Sequence, residues 1–107
     1  MEETQDNLRL SFGKNKNKSL NELDEEYKIW LYSLNLEELP ETIQDKKAEM
    51  ELIQSLLNPD EFHLLFGKYK DCRFDLIKKT QPKYCNFIKT LDTSKSYKMS
   101  AFKKYVS

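Results

Sequence analysis

The chain has 107 residues, of which 34% are charged and 38% apolar, so it fits one small soluble domain. It has no apolar run of about 18 residues and no signal peptide, which favours an intracellular protein of the cytoplasm or nucleus without membrane partners. Its two cysteines are too few for a disulfide framework or a zinc site, so we expect free thiols and no metal.

The formal net charge is zero, but the charges are distributed unevenly along the chain. Residues 1–58 have 7 basic and 13 acidic side chains, a net charge of −6. Residues 59–107 have 11 basic and 5 acidic side chains, a net charge of +6. This asymmetry is typical of a basic face for a polyanion or of two halves that attract each other, and it also fits two ordinary solvated surfaces.

The first predicted unit spans 8–36, after an acidic N-terminus (1–7) that we expect to be disordered. Leu10 and Phe12 alternate with polar residues as in a short strand, and GKNKNK then supplies turn residues. Leu20 follows as a second apolar piece. The pattern predicts a small β-hairpin or an extended loop.

A helix follows this hairpin, with Asp24 or Asn21 as its N-cap. Its apolar face repeats at i, i+3, i+4 and i+7 and consists of Tyr27, Trp30, Leu31 and Leu34. A connector helix is predicted over 40–58, stopped by Asn58-Pro59. Its face consists of Ile43, Met50, Ile53 and Leu57, widened by Leu52 and Leu56.

The second unit, 62–92, repeats the first at an offset of 54 residues, with LLFGKYKDC matching LSFGKNKNK. Phe74 and Ile77 match Leu20 and Leu23. After a three-residue insertion within KKTQPK, the second helix begins at Pro82 behind Thr80 as its cap. In this helix Tyr84, Phe87 and Ile88 match Tyr27, Trp30 and Leu31. A C-terminal helix over 95–107 would present Tyr97, Ala101, Phe102 and Tyr105.

These elements predict an α+β, mostly α fold within a single domain, 8–107. Two pseudo-repeated units, each a short β-hairpin plus a helix, are joined by one amphipathic helix. The predicted aromatic core consists of Phe12, Phe66, Tyr27, Tyr84, Trp30 and Phe87.

The paired strings resemble a module with the pattern Phe-Gly-Lys-(Tyr/His)-Lys-Gly-Lys-(Thr/Ser)-(Phe/Leu), followed by a helix with Tyr-Cys-x-Trp. The first copy matches it at Phe12, Gly13, Lys14, Lys16, Lys18, Ser19, Leu20, Tyr27 and Trp30. The second matches it at Phe66, Gly67, Lys68, Tyr69, Lys70, Phe74, Tyr84 and Cys85. The pattern's second glycine is Asn17 in one copy and Asp71 in the other, and its third lysine is Lys18 or Cys72.

This module is similar to the C-terminal appendage of exonuclease X-type DNA nucleases, with related copies in proteins of large DNA viruses and in small bacterial proteins. The resemblance covers about 60 of the 107 residues and leaves the connector out. It implies an accessory role in a replication or viral setting, and so a virus factory or virion as the location if the protein is viral.

The residues of the two turns are the candidate nucleic-acid contacts. Gly13 and Gly67 would shape the turns, and Tyr69 would stack on a base. The candidate cationic contacts are Lys14, Lys16, Lys18, Lys68, Lys70 and Arg73. A basic patch would extend over Lys78, Lys79, Lys83, Lys89, Lys95, Lys98, Lys103 and Lys104. The turn lysines could equally just keep a hairpin edge soluble.

The sequence predicts a non-catalytic module that binds DNA or RNA weakly and in a salt-dependent way. The alternative is a protein-interaction or structural module that self-associates through its oppositely charged halves. An enzyme is not expected, because the lone His63 has no catalytic partners in the sequence and no phosphate loop or HExxH motif is present. We therefore expect no cofactor and no small-molecule substrate.

Overall fold

The computed structural model describes residues 9–11, 13, 15–39, 41–93 and 95–107. Five α-helices lie in this part of the chain: α1 (Glu25–Ser33), α2 (Lys47–Leu56), α3 (Phe74–Thr80), α4 (Pro82–Lys89) and α5 (Tyr97–Val106). Three short 3₁₀ helices span Leu20–Glu22, Glu41–Lys46 and Pro59–Glu61. The predictions made for 1–7, Phe12 and Lys14 lie outside the described residues.

The predicted β-hairpins are wrong, because the described residues form no β-strand and the α+β class is replaced by an all-helical one. Each hairpin is reduced to a single antiparallel bridge, between Arg9 and Ser19 in the first unit and His63 and Arg73 in the second. Pairing ends there because a helix begins at the next residue in both units. Leu20 and Phe74 therefore open helices, where the prediction placed strands.

A local signal explains why the first bridge is not extended. The backbone N–H of Ser19 donates to Glu22 Oε1 at 2.9 Å, an Ser-x-x-Glu arrangement that satisfies a donor at the start of a helix. This hydrogen bond lowers the pKa of Glu22 below its usual value. The hydrogen bond between Ser19 and Glu22 thus starts a helix at this point, although the alternating apolar and polar residues before it favoured a strand.

Helix α1 is capped at both ends by side chains. Asp24 is its N-cap, and Oδ1 accepts from the Tyr27 N–H at 2.8 Å, which selects Asp24 over Asn21. At the other end Gln54 Nε2 donates to the carbonyls of Leu31 (2.8 Å) and Leu34 (2.9 Å). Helices commonly end at a glycine, which allows their last carbonyls to be hydrogen-bonded. In α1 the side chain of Gln54 bonds these carbonyls instead, and it also holds α1 against α2.

The second unit contains one helix more than predicted. Thr80 does not cap α4; it ends α3, where Oγ1 donates to the Leu76 carbonyl at 2.7 Å. Gln81 alone separates the two helices, with φ −128° and ψ 61°. A residue before proline avoids the helical region, so Pro82 forces the break at this position.

The connector is bent. A 3₁₀ segment, Glu41–Lys46, precedes α2, and Ile43 has non-helical angles (φ −129°, ψ 17°). Ile43, Met50, Ile53 and Leu57 are buried as the pattern requires. Leu52 is 49% exposed, so the buried face is narrower than the sequence suggested.

The two units contribute equivalent residues to one core. The matched pairs Leu10 and Leu64, Leu20 and Phe74, Leu23 and Ile77, and Leu31 and Ile88 are all buried. Helix α5 packs against α1, α3 and α4 and closes this core with Phe102, whose ring lies 5.0 Å from that of Phe74. No described helix combines the length and hydrophobicity needed to cross a lipid bilayer.

The predicted aromatic core is partly wrong. Phe87 is 56% exposed, whereas Tyr27, Trp30, Phe66 and Tyr84 are half-buried at the edge of the core. Helix α4 packs against α3, α5 and the second turn, and Phe87 lies on the face of α4 that these contacts leave open to solvent.

Candidate nucleic-acid interface

The two glycine turns have the same backbone. Gly13 and Gly67 have φ values of +78° and +72°. In each turn, one leucine at the start forms two backbone hydrogen bonds with residues at the end of the turn. The N–H of Leu10 donates to Lys18 O (3.0 Å) and its carbonyl accepts from Asn17 N (2.8 Å); for Leu64 the partners are Cys72 (2.9 Å) and Asp71 (2.8 Å). At the described residues, the two strings thus fold into equivalent loops.

Asn17 and Asp71 lie where the resembled pattern has its second glycine. Both have positive φ, +74° and +73°. Asn and Asp are the non-glycine residues that adopt this left-handed region most readily. The departure from the pattern therefore preserves the backbone of the turn.

Packing also disfavours a side chain at each turn glycine. A Cβ added at Gly13 would lie 3.0 Å from the Tyr27 hydroxyl oxygen, and one at Gly67 would lie 3.1 Å from that of Tyr84. The first turn is therefore packed against α1 and the second against α4. Burial raises the pKa of both tyrosines, and Asn15 partly offsets this at Tyr27. The glycines and tyrosines thus form the scaffold of the turn.

The turn lysines that the structure describes are exposed. These are Lys16 and Lys18 in the first turn and Lys68 and Lys70 in the second. None of the four forms an ion pair with another described residue. They are therefore available to an anionic ligand.

Tyr69 and Arg73 are occupied by neighbours. The Tyr69 hydroxyl donates to Gln81 Oε1 at 2.9 Å, and its ring lies edge-on to Tyr84 with 4.8 Å between centroids. Arg73 forms a two-pronged ion pair with Asp75, at 3.1 and 3.0 Å, which raises the pKa of the guanidinium. Tyr69 therefore serves to dock the turn, and Arg73 is already neutralised.

The docking by Tyr69 joins the second turn to the junction between α3 and α4. Residues 76–91 contain four lysines and no carboxylate. These lysines are Lys78, Lys79, Lys83 and Lys89, all exposed. Lys78 Nζ lies 5.1 Å from the centroid of the Tyr105 ring, and none of the four has an ion-pair partner among the described residues. We define the basic surface as the exposed lysines that flank Tyr69 and the α3–α4 junction in sequence, which are Lys68, Lys70, Lys79 and Lys83.

Phe87 lies beside this basic surface and was missed by the sequence reasoning. It follows Lys83 by one helical turn, so the two side chains are neighbours on α4. The sequence feature that could have indicated its exposure is the position of Phe87 at the edge of the apolar stripe formed by Tyr84, Ile88 and Leu91. An exposed aromatic ring beside a lysine is an arrangement that can stack on a base and hold the adjacent phosphate.

The first turn has the opposite electrostatic setting. The residues equivalent to Gln81, Pro82 and Lys83 are Asp24, Glu25 and Glu26. His63 Nδ1 lies 3.0 Å from both Glu25 carboxylate oxygens, and its backbone N–H donates to Oε1 at 2.8 Å. This contact ties the two units together. In the described part of the chain, no three metal-ligating side chains form a cluster.

No protein-family model, curated protein or solved structure matches this chain. The resemblance to the nuclease appendage therefore stays a hypothesis based on the two strings.

Proposed function

We propose that the protein is a non-catalytic nucleic-acid-binding module whose contact surface lies in the second repeat. The observation that supports this most is the basic surface at the second turn and the α3–α4 junction. Its lysines are exposed and form no ion pair with a described residue, and no carboxylate occurs in 76–91. Lysine side chains are among the groups that proteins most often use to contact the phosphates of nucleic acids.

The proposed ligand is single-stranded DNA or RNA. Phe87 offers an exposed ring for stacking on an unpaired base, and the exposed Lys83, one helical turn before it, would contact a neighbouring phosphate. Bases within a duplex present their edges in the grooves and keep their faces stacked, so duplex would use the lysines alone.

Binding is expected to be modest and sensitive to salt. The acidic half of the chain opposes long-range attraction of a polyanion, since the net charge is zero. For a single strand, about four phosphate contacts give a slope of about −3 in the dependence of log affinity on log salt concentration.

The test is a fluorescence-anisotropy titration of labelled single-stranded and duplex DNA and RNA at two salt concentrations. The variant K68A/K70A should lose about tenfold in affinity, because each lysine contributes one charge-assisted phosphate contact. The matched control K16A/K18A removes the same charge from the first turn and should change affinity by less than about threefold.

Absence of binding by the native chain at low salt would overturn the proposal. Equal losses in both variants would mean that net charge, and no particular surface, determines affinity. The alternative, self-association through the oppositely charged halves, would instead give a molecular mass that rises with concentration and falls with salt.

A further inference from the structure

A second cleft, outside the proposed nucleic-acid surface, lies between α1 and the start of α5. Its volume is about 330 Å³, and its described lining consists of Asp24, Glu26, Tyr27, Trp30 and Tyr97. Three aromatic rings and two carboxylates thus surround one small space. We call it the acidic cage.

The rings come from two elements. Tyr27 and Trp30 occupy successive turns of α1, with 5.3 Å between ring centroids and an angle of 39° between planes. Tyr97 is the first residue of α5 and lines the same cleft. All three are half-buried, so part of each ring surface remains accessible.

The carboxylates are held in place without being neutralised. One oxygen of Asp24 accepts from the Tyr27 N–H, and one oxygen of Glu26 accepts from the Tyr97 hydroxyl. Neither carboxylate has an ion-pair partner among the described residues, and no described donor bonds their second oxygens. The bond to Glu26 raises the pKa of Tyr97 to about 12.

We propose that the acidic cage binds a quaternary or methylated ammonium group. Such a cation is attracted by ring faces and by nearby carboxylates, and it needs no hydrogen-bond acceptor. The positive end of the α1 dipole opposes a cation, but Asp24, Glu25 and Glu26 in the first turn outweigh it. The Nζ atom of Lys98 lies 6.0 Å from the centroid of the Tyr97 ring, but Lys98 does not line the cleft.

The second repeat shows what the cage requires. There the residues equivalent to Tyr27 and Trp30 are Tyr84 and Phe87, so an aromatic pair is present. The equivalents of Asp24 and Glu26 are Gln81 and Lys83, so the carboxylates are not. Cation binding should therefore be confined to the first repeat. It does not depend on whether the second repeat binds nucleic acid.

Trp30 is the only tryptophan of the chain, so its fluorescence reports on the cage directly. The native protein is titrated with tetramethylammonium chloride, with sodium chloride replaced so that ionic strength stays constant. We expect a saturable change with a dissociation constant in the millimolar range. No saturable change up to about 100 mM would overturn the proposal.

Choline is compared with 3,3-dimethylbutan-1-ol, a neutral molecule of the same shape. Choline should bind and the alcohol should bind at least about tenfold more weakly, because the charge supplies the attraction. Equal responses would overturn the proposal, since the cleft would then be an ordinary apolar site.

Variants separate the cage from general acidity. E26Q should weaken tetramethylammonium binding about fivefold, whereas E25Q, which removes the same charge from a residue outside this cleft, should change it less than about twofold. Equal effects of the two would overturn the proposal. Y97L, checked for helix content by circular dichroism, should weaken binding further; the choline comparison stands even if this variant does not fold.

A peptide with trimethyl-lysine and its unmodified counterpart identify the source of the cation. Binding of the methylated peptide about tenfold tighter than tetramethylammonium would assign the cage to a methylated protein segment. Equal binding of choline and the methylated peptide would assign it to a small quaternary ammonium compound.

Discussion

The first turn, at Gly13, packs against α1, whose N-cap and first two residues are Asp24, Glu25 and Glu26. The second turn, at Gly67, packs against α4, which begins with Pro82 and Lys83. At the described residues, the φ angles of the two turns agree to within a few degrees and their backbone hydrogen-bond lengths to within about 0.1 Å. The electrostatic surroundings are opposite. The repeated string therefore encodes a scaffold, and we infer that the helix N-termini determine which ligand each repeat can bind.

The largest effects should come from the turn glycines, where the repeats are alike. G67A and G13A each force a Cβ into a left-handed conformation and toward a tyrosine hydroxyl, so each should lower the free energy of unfolding by about 2 kcal/mol. Urea denaturation of both variants measures this. A cost at one glycine only would break the equivalence of the turns.

Smaller effects should come from the helix starts, where the repeats differ. D24A removes an N-cap and should lower the free energy of unfolding by about 1 kcal/mol. Q81A removes the acceptor of Tyr69 and should have a similar cost of about 1 kcal/mol. In the background of Y69F the effect of Q81A should largely disappear, and an unchanged cost would show that Gln81 acts in another way.

The smallest effect concerns pH and the tyrosines at each turn. Burial raises the pKa of Tyr27 and Tyr84, so the folded state retains their protons where the unfolded state loses them. Their contribution is complete below pH 10, the unfolded value, and declines as the pH rises through the folded values. Urea midpoints should fall above pH 10, less so in Y27F and Y84F; identical profiles would contradict this.

The sequence predicts the local geometry of the turns better than the elements around them. Gly13, Gly67, Asn17 and Asp71 are residue types that tolerate left-handed backbone, and all four have positive φ. The strands were mispredicted because a period of two over three residues is a weak signal beside the helix start at Ser19 and Glu22.

Tertiary contacts account for the rest. Phe87 and Trp30 occupy equivalent positions, yet Trp30 lines a cleft with Tyr97 of α5 whereas Phe87 is exposed, so the exposure of Phe87 could not be read from periodicity. The acidic cage depends on Tyr97, which is distant in sequence from Tyr27 and Trp30. Only the packing of α5 on α1 brings these rings together.

The measurement that tests the central claim most directly is a charge exchange at the equivalent positions Glu26 and Lys83. Affinity for a labelled single strand is measured at low salt for K83E and E26K. The controls are K46E and E51K on the connector, which change the net charge of the protein by the same amount as K83E and E26K, respectively. We predict that K83E lowers affinity at least about tenfold, that E26K raises it about threefold, and that both controls change it less than about twofold. If K83E behaves like K46E, or E26K like E51K, the helix N-termini do not determine what each repeat binds.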